Sequence, residues 1–257
     1  MDLHTITDML MHKSPSQRFI ELDVFRGFAI IFMIFLHVLW DLDYFGIMPL
    51  NKNIYQFNII CPSLFFLIVG MCLAVSYNKN QQPNKGKMYP HLFGRGLKIL
   101  VLGTLLTGAT YLYLPEKPIL FGVLHCIGLS IILSIPFLRF KTYNIIFAAA
   151  IILLGVVMGL FPVENPTVLA LAVGFHPADV WAHTVDYFPL FPWFGVSLLG
   201  IAAGNVLYKN NERQFSLPDL SKYKPVALFS WLGKHSLAIY LFHQPIIAGV
   251  LSLYIIL

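Results

Sequence analysis

Seven stretches of the chain are apolar almost throughout, at residues 24 to 40, 54 to 77, 92 to 114, 119 to 138, 143 to 161, 189 to 208 and 226 to 256. A helix needs about 20 predominantly apolar residues to cross a bilayer, and each stretch approaches or exceeds that length. The breaks between them carry turn chemistry. Asn78 to Pro90 is rich in Lys, Asn, Gln, Gly and Pro, and Leu114-Pro-Glu-Lys-Pro118 reads as a tight turn. The pattern predicts an all-α, polytopic membrane bundle of about seven transmembrane helices.

Composition strengthens this reading. Of 257 residues, 58% are apolar and only 11% charged, far from the balance of a soluble domain. A chain of this length has room for one membrane domain, taken as 19–257, behind a short tail at 1–18. The tail carries Asp2, His4, Asp8 and Lys13 and lacks the short apolar core of a cleaved leader, so none is expected. The formal charge of +5 would suggest nucleic acid in a soluble protein. In a membrane protein such an excess sits in the loops that set orientation, and no nucleic-acid partner is expected. Cys61, Cys72 and Cys126 all fall inside apolar runs without CxxC spacing and read as core residues.

Charge counting then orients the bundle. With the amino terminus in the cytoplasm, fifteen of the seventeen Lys and Arg residues fall on inside segments, leaving only Lys52 and Lys117 outside. The count supports an odd number of crossings. Residues 162 to 189 fall outside on this topology. They hold Glu164, His176, Asp179, His183 and Asp186 without one Lys or Arg, as a solvated or partly re-entrant segment.

Ionisable groups inside a membrane need a partner or a function. His37 follows Arg26 by eleven residues. At 100° per residue the two lie almost on one line of a helix, separated by about 16 Å of rise. Asp41 continues that stripe. For Arg26 the structural alternative is a snorkelling anchor paired with Asp23, and for His37 an interhelical hydrogen bond. His125 lies near the outer end of the fourth run, at a depth similar to His37, where Gly122 and Gly128 thin the helix. Ser236, Tyr240 and His243 share one face of the last run and precede Gln244-Pro245. The basic groups Arg26, Arg95, Lys98, Lys234 and His235 gather instead at cytoplasmic helix starts. There, free N–H groups and the helix dipole favour a phosphate. Two half-sites result, one cationic and one built from histidines.

The spacing Arg26-x10-His37 within Leu-Asp-Val-Phe-Arg-Gly-Phe-Ala-Ile-Ile resembles the first helix of membrane acyltransferases. Three segments extend the likeness: Cys61-Pro-Ser-Leu-Phe-Phe-Leu-Ile-Val-Gly70, Phe121-Gly-Val-Leu-His-Cys-Ile-Gly128 and Asp186-Tyr-Phe-Pro-Leu-Phe-Pro-Trp-Phe-Gly195. With Gly233-Lys-His-Ser-Leu-Ala-Ile-Tyr-Leu-Phe-His-Gln-Pro245, they resemble the microbial branch of the heparan-alpha-glucosaminide N-acetyltransferase catalytic domain family, from about Arg18 to the carboxyl terminus.

The resemblance implies transfer of an acetyl group, or another acyl group, from cytoplasmic acetyl-CoA to an amine or hydroxyl presented on the far side, often of a sugar. Lysosomal members place a catalytic histidine in the loop after the first helix. Residues 41 to 60 here contain none, which passes the base role to His37 or His125.

The expected mechanism is direct transfer. His37, oriented by Asp41, deprotonates the acceptor; His125 either replaces it as base or stabilises the oxyanion with Tyr240; His243 completes the candidate set. Arg26, Arg95, Lys98 and Lys234 are the candidate CoA-phosphate ligands. An acyl-histidine route stays open. A proton-coupled transporter or flippase using the same histidines is the main alternative, and a haem protein a lesser one. No metal or haem is expected, and no HExxH pattern is present. The expected setting is a multi-pass protein of a microbial cell membrane, with acyl-CoA, a glycan or other small acceptor and the lipid bilayer as partners. The sequence leaves a homo-oligomer open.

Overall fold

Apolar runs of this length have no water to satisfy their backbone, so each must close its hydrogen bonds within itself as a helix. The computed structural model describes residues 19–51, 54, 57–79, 85–209, 212–218, 220 and 222–256. The tail at 1–18 and Lys52 lie outside the described residues.

The helices are α1 (Ile20–Tyr44), α2 (Phe57–Lys79), α3 (Lys85–Tyr113), α4 (Val123–Ser134), α5 (Asn144–Gly159), α6 (Val168–Val173), α7 (Val180–His183), α8 (Leu190–Leu207), α9 (Lys224–Lys234) and α10 (Ser236–Ile256). A 3-10 stretch, Ile135–Tyr143, joins α4 to α5. Among the described residues there is no strand, only an isolated bridge between Phe121 and Tyr187.

Among the described residues, six runs, rather than seven, are long and apolar enough to cross a membrane. The difference lies in the fourth, Val123–Gly159, whose 37 residues join α4, the 3-10 stretch and α5 end to end. At about 1.5 Å per residue it would measure about 55 Å, against a hydrocarbon core of about 30 Å. It is not straight. Lys141 sits at φ 48° and ψ −119°, outside helical geometry.

Both ends of the run return to the same segment of chain. Val123 at its start bonds Asp186, and Gly155 near its end backs onto Phe191 and Pro192. The stretches expected at 119 to 138 and 143 to 161 are therefore two legs of one folded run. The last expected span is also divided. Its spanning part is α10, and α9 is a separate helix.

Glycines set the closest helix pairs, as small residues do where backbones pack inside a membrane. A Cβ on Gly70 of α2 would stand 2.0 Å from the Ser197 carbonyl oxygen of α8. A Cβ on Gly233 of α9 would stand 1.8 Å from the Asp23 oxygen of α1. The main core, around Leu73, Leu92, Ile131, Leu138, Leu198 and Ile201, fills the space between α2, α3, α4 and α8.

At the arginine end of α1, Glu21 receives two hydrogen bonds from Arg213, at 2.7 and 2.8 Å, which fastens the loop between α8 and α9. At the opposite end the segment after α5 folds against the bundle. It buries Leu171, Val180 and Tyr187, and the Tyr187 hydroxyl donates to the Leu171 carbonyl at 2.9 Å.

Candidate active site

α1 and α10 run side by side and carry two histidines to one point. The rings of His37 and His243 meet edge to face, with centroids 4.7 Å apart and planes 64° apart. One turn further on, the Gln244 side-chain amide donates to both oxygens of Asp41, at 2.9 and 3.0 Å, and fixes the register of the two helices.

The protonation pattern of His243 follows from its partner. Its Nδ1 lies 2.6 Å from the Tyr240 carbonyl oxygen. A carbonyl oxygen only accepts, so Nδ1 carries the hydrogen and Nε2 of the neutral ring keeps its lone pair. Nε2 is buried and has no hydrogen-bond partner among the described residues. An unsatisfied polar atom in such surroundings is costly, which makes it a site where an incoming donor is favoured.

Tyr240 continues the line. Its hydroxyl hydrogen-bonds the Asp186 carboxylate, which also accepts from the Val123 backbone N–H at 3.1 Å. Burial pushes the Asp186 carboxyl up to about 6, although both hydrogen bonds act in the opposite direction. Gly122 makes the approach possible, because a Cβ there would stand 2.1 Å from an Asp186 oxygen.

His125 has the opposite tautomer. The Gly122 N–H donates to its Nδ1 at 3.3 Å, so in the neutral ring the hydrogen resides on Nε2. The imidazole is buried, stacks obliquely with Phe121 at 5.5 Å and rests on Gly103 of α3. It does not join the imidazole pair directly. Its link to that pair runs through Gly122 and Val123 to Asp186 and Tyr240.

The arginine end is separate. Arg26 donates to Asp23 at 3.3 Å, to the Gly233 carbonyl at 3.4 Å and to the Cys72 sulfur at 3.0 Å. Arg95, exposed on α3, stands within electrostatic reach of Arg26 and Cys72. Lys98 and Lys234 are exposed.

The residues that sequence patterns left without a role are Asp186, Gln244 and Cys72. Asp186 lay in an acidic segment devoid of basic residues, and Gln244 directly follows His243, yet their partners lie 63 and 203 positions away. Cys72 read as core, whereas its sulfur receives an arginine.

A polytopic α-helical membrane protein with buried imidazoles at one level and arginines at the other is the class that fold and site define. Residues 18–245 match the family described as heparan-alpha-glucosaminide N-acetyltransferase, catalytic, and the chain belongs to it. Its class is thus that of a multi-pass membrane acetyltransferase. No curated protein and no solved structure matches the chain.

Proposed function

We propose that this protein transfers an acetyl group from acetyl-CoA, held at the arginine end and facing the cytoplasm, to an amine or hydroxyl of a sugar-like acceptor at the histidine end. The observation that carries the reading is the opposite tautomers of two buried histidines. His243 offers a lone pair at Nε2 and His125 offers a hydrogen at Nε2. One is suited to accept a proton and the other to donate a hydrogen bond, as acyl transfer requires.

In the proposed step His243 Nε2 takes the acceptor's proton while the acceptor's nitrogen or oxygen bonds to the acetyl carbonyl carbon. His125 Nε2–H stabilises the charge that develops on the carbonyl oxygen. The carbon–sulfur bond then breaks, and His243 returns its proton to the thiolate. The products are the acetylated acceptor and free CoA. His37 supports His243 through ring contact, and Asp41 holds α10 through Gln244. Arg26 and Arg95 are the best-placed partners for CoA phosphates, while Lys98 and Lys234 add positive charge to the same end.

The cytoplasmic sidedness rests on the charge count, which puts Arg26, Arg95, Lys98 and Lys234 inside. The proposed setting is a microbial cell membrane. The test is sided: radiolabelled acetyl-CoA is supplied to inside-out and right-side-out vesicles holding the protein and glucosamine. Labelled N-acetylglucosamine from inside-out vesicles alone is the expected result. Transfer in the opposite orientation alone, or in neither, would overturn the assignment.

A further inference from the structure

The bilayer-facing side of the bundle carries a groove of about 490 Å³ between α1, α9 and α10. Ile34, Trp231, Ala238, Ile239 and Ile246 line it, and His243 forms part of its wall. From Ala238 to Ile247 it follows α10 for about 14 Å, nearly half of a hydrocarbon core of about 30 Å. Its lining has no charged side chain and, apart from two imidazoles and an indole, no polar one.

Four considerations decide what fits. Phe242 and Ile246, which line the groove, are 64% and 62% exposed, so on a spanning helix they face lipid. No Lys or Arg lines the groove, so CoA phosphates would find no cation along its wall. A free sugar would leave its hydroxyls unpaired along a hydrocarbon wall. Yet His243, only 8% exposed, holds a buried Nε2 that has no hydrogen-bond partner among the described residues. A molecule with a hydrocarbon chain and a hydroxyl or amine head satisfies both requirements: its chain covers the groove and its head bonds Nε2.

We infer that the acceptor is lipid-borne, entering sideways from the bilayer with its hydrocarbon chain in this groove and its amine or hydroxyl at His243. The inference rests on the acetyl-transfer reading. The chemistry at the head is unchanged: the acceptor's N–H or O–H proton passes to Nε2 and its heteroatom takes the acetyl group from the thioester.

The probe is dodecyl glucosaminide with a diazirine at the chain end, compared with free glucosamine, using the whole protein in phosphatidylcholine vesicles. Photolabelling reads binding without any need for turnover, and acetyl transfer is measured in parallel.

Labelling concentrated on α9 and α10 groove residues, with KM for the alkyl acceptor at least tenfold below that for glucosamine, is the expected result. Ala238→Trp, which fills the groove, is expected to lower the ratio of kcat/KM for the alkyl acceptor to that for glucosamine at least fivefold. Labelling spread evenly over the lipid-facing surface, or equal KM values, overturns the inference whatever the variant does. Groove labelling without acetyl transfer to any acceptor refutes the enzymatic reading instead, and leaves the groove a lipid site with no acceptor role.

Discussion

His37 and His243 stand 4.7 Å apart, centroid to centroid, although 206 positions of chain separate them. The contact depends on α1 and α10 holding a single register, which the Gln244–Asp41 hydrogen bonds fix one turn away. Two imidazoles in edge-to-face contact, one buried and one half-buried, act as a unit. Groups that act as a unit do not contribute independently.

A double-mutant cycle tests that dependence. His37→Ala and His243→Ala are each expected to slow acetyl transfer, and the double variant to be no more than about threefold slower than His243→Ala alone, a coupling within the range of about 0.5–3 kcal/mol for contacting residues. Multiplicative effects on kcat/KM would show that the two rings serve separate steps.

The Asp186 carboxyl gives the fold a pH dependence of definite sign. Its folded-state pKa is raised from 3.8 to about 6, so the folded protein binds this proton more tightly than the unfolded chain. The resulting stabilisation is complete at low pH and is lost as pH rises between about 4 and 6. Asp186→Asn keeps an oxygen for the Val123 N–H and removes the titration. Thermal unfolding in detergent is expected to show the variant gaining on the wild type as pH rises through that window. A Tm difference independent of pH would contradict the account.

Close glycine packing makes a second structural prediction. Gly233→Ala forces a methyl group against the Asp23 carbonyl, a backbone atom that no side-chain rotation can move aside. The cost is expected to be about 1–3 kcal/mol or more. Gly249→Ala, with nothing within 4 Å of the added carbon, is expected to be neutral or to stabilise by up to about 1 kcal/mol. Parallel Tm measurements check the contrast, and equal shifts would refute the packing argument.

Hydropathy and helical phase carried much of this architecture. Apolar length identified the spanning runs, and the spacing of Tyr240 and His243 already put them on one face of the last helix. The fold-back around Lys141 falls in the gap that the apolar runs left between 138 and 143, whereas the backbone geometry that makes it was not legible, because hydropathy registers composition and not φ and ψ. The α9–α10 break was blurred for a related reason, since Val226 to His235 is apolar enough to pass as the start of a span.

Asp186 is the instructive miss. Its partners, Val123 and Tyr240, belong to two other elements, and only the tertiary fold brings the carboxylate to them. The tautomers of His125 and His243 were equally out of reach, because each is set by a backbone group whose placement depends on local helix geometry. Arg26 shows both sides. The pairing with Asp23 follows from i,i+3 spacing, whereas the Cys72 and Gly233 contacts depend on packing of α2 and α9.

The central claim, that His243 Nε2 is the base of an acetyl transfer, is tested most directly by CoA release from acetyl-CoA with an amino-sugar acceptor. Purified wild-type protein and His243→Ala are compared after equal reconstitution and matched Tm. A fall in kcat of about 10²–10⁴-fold, partly reversed by added imidazole, is the predicted result. Turnover of His243→Ala within twofold of the wild type would contradict it.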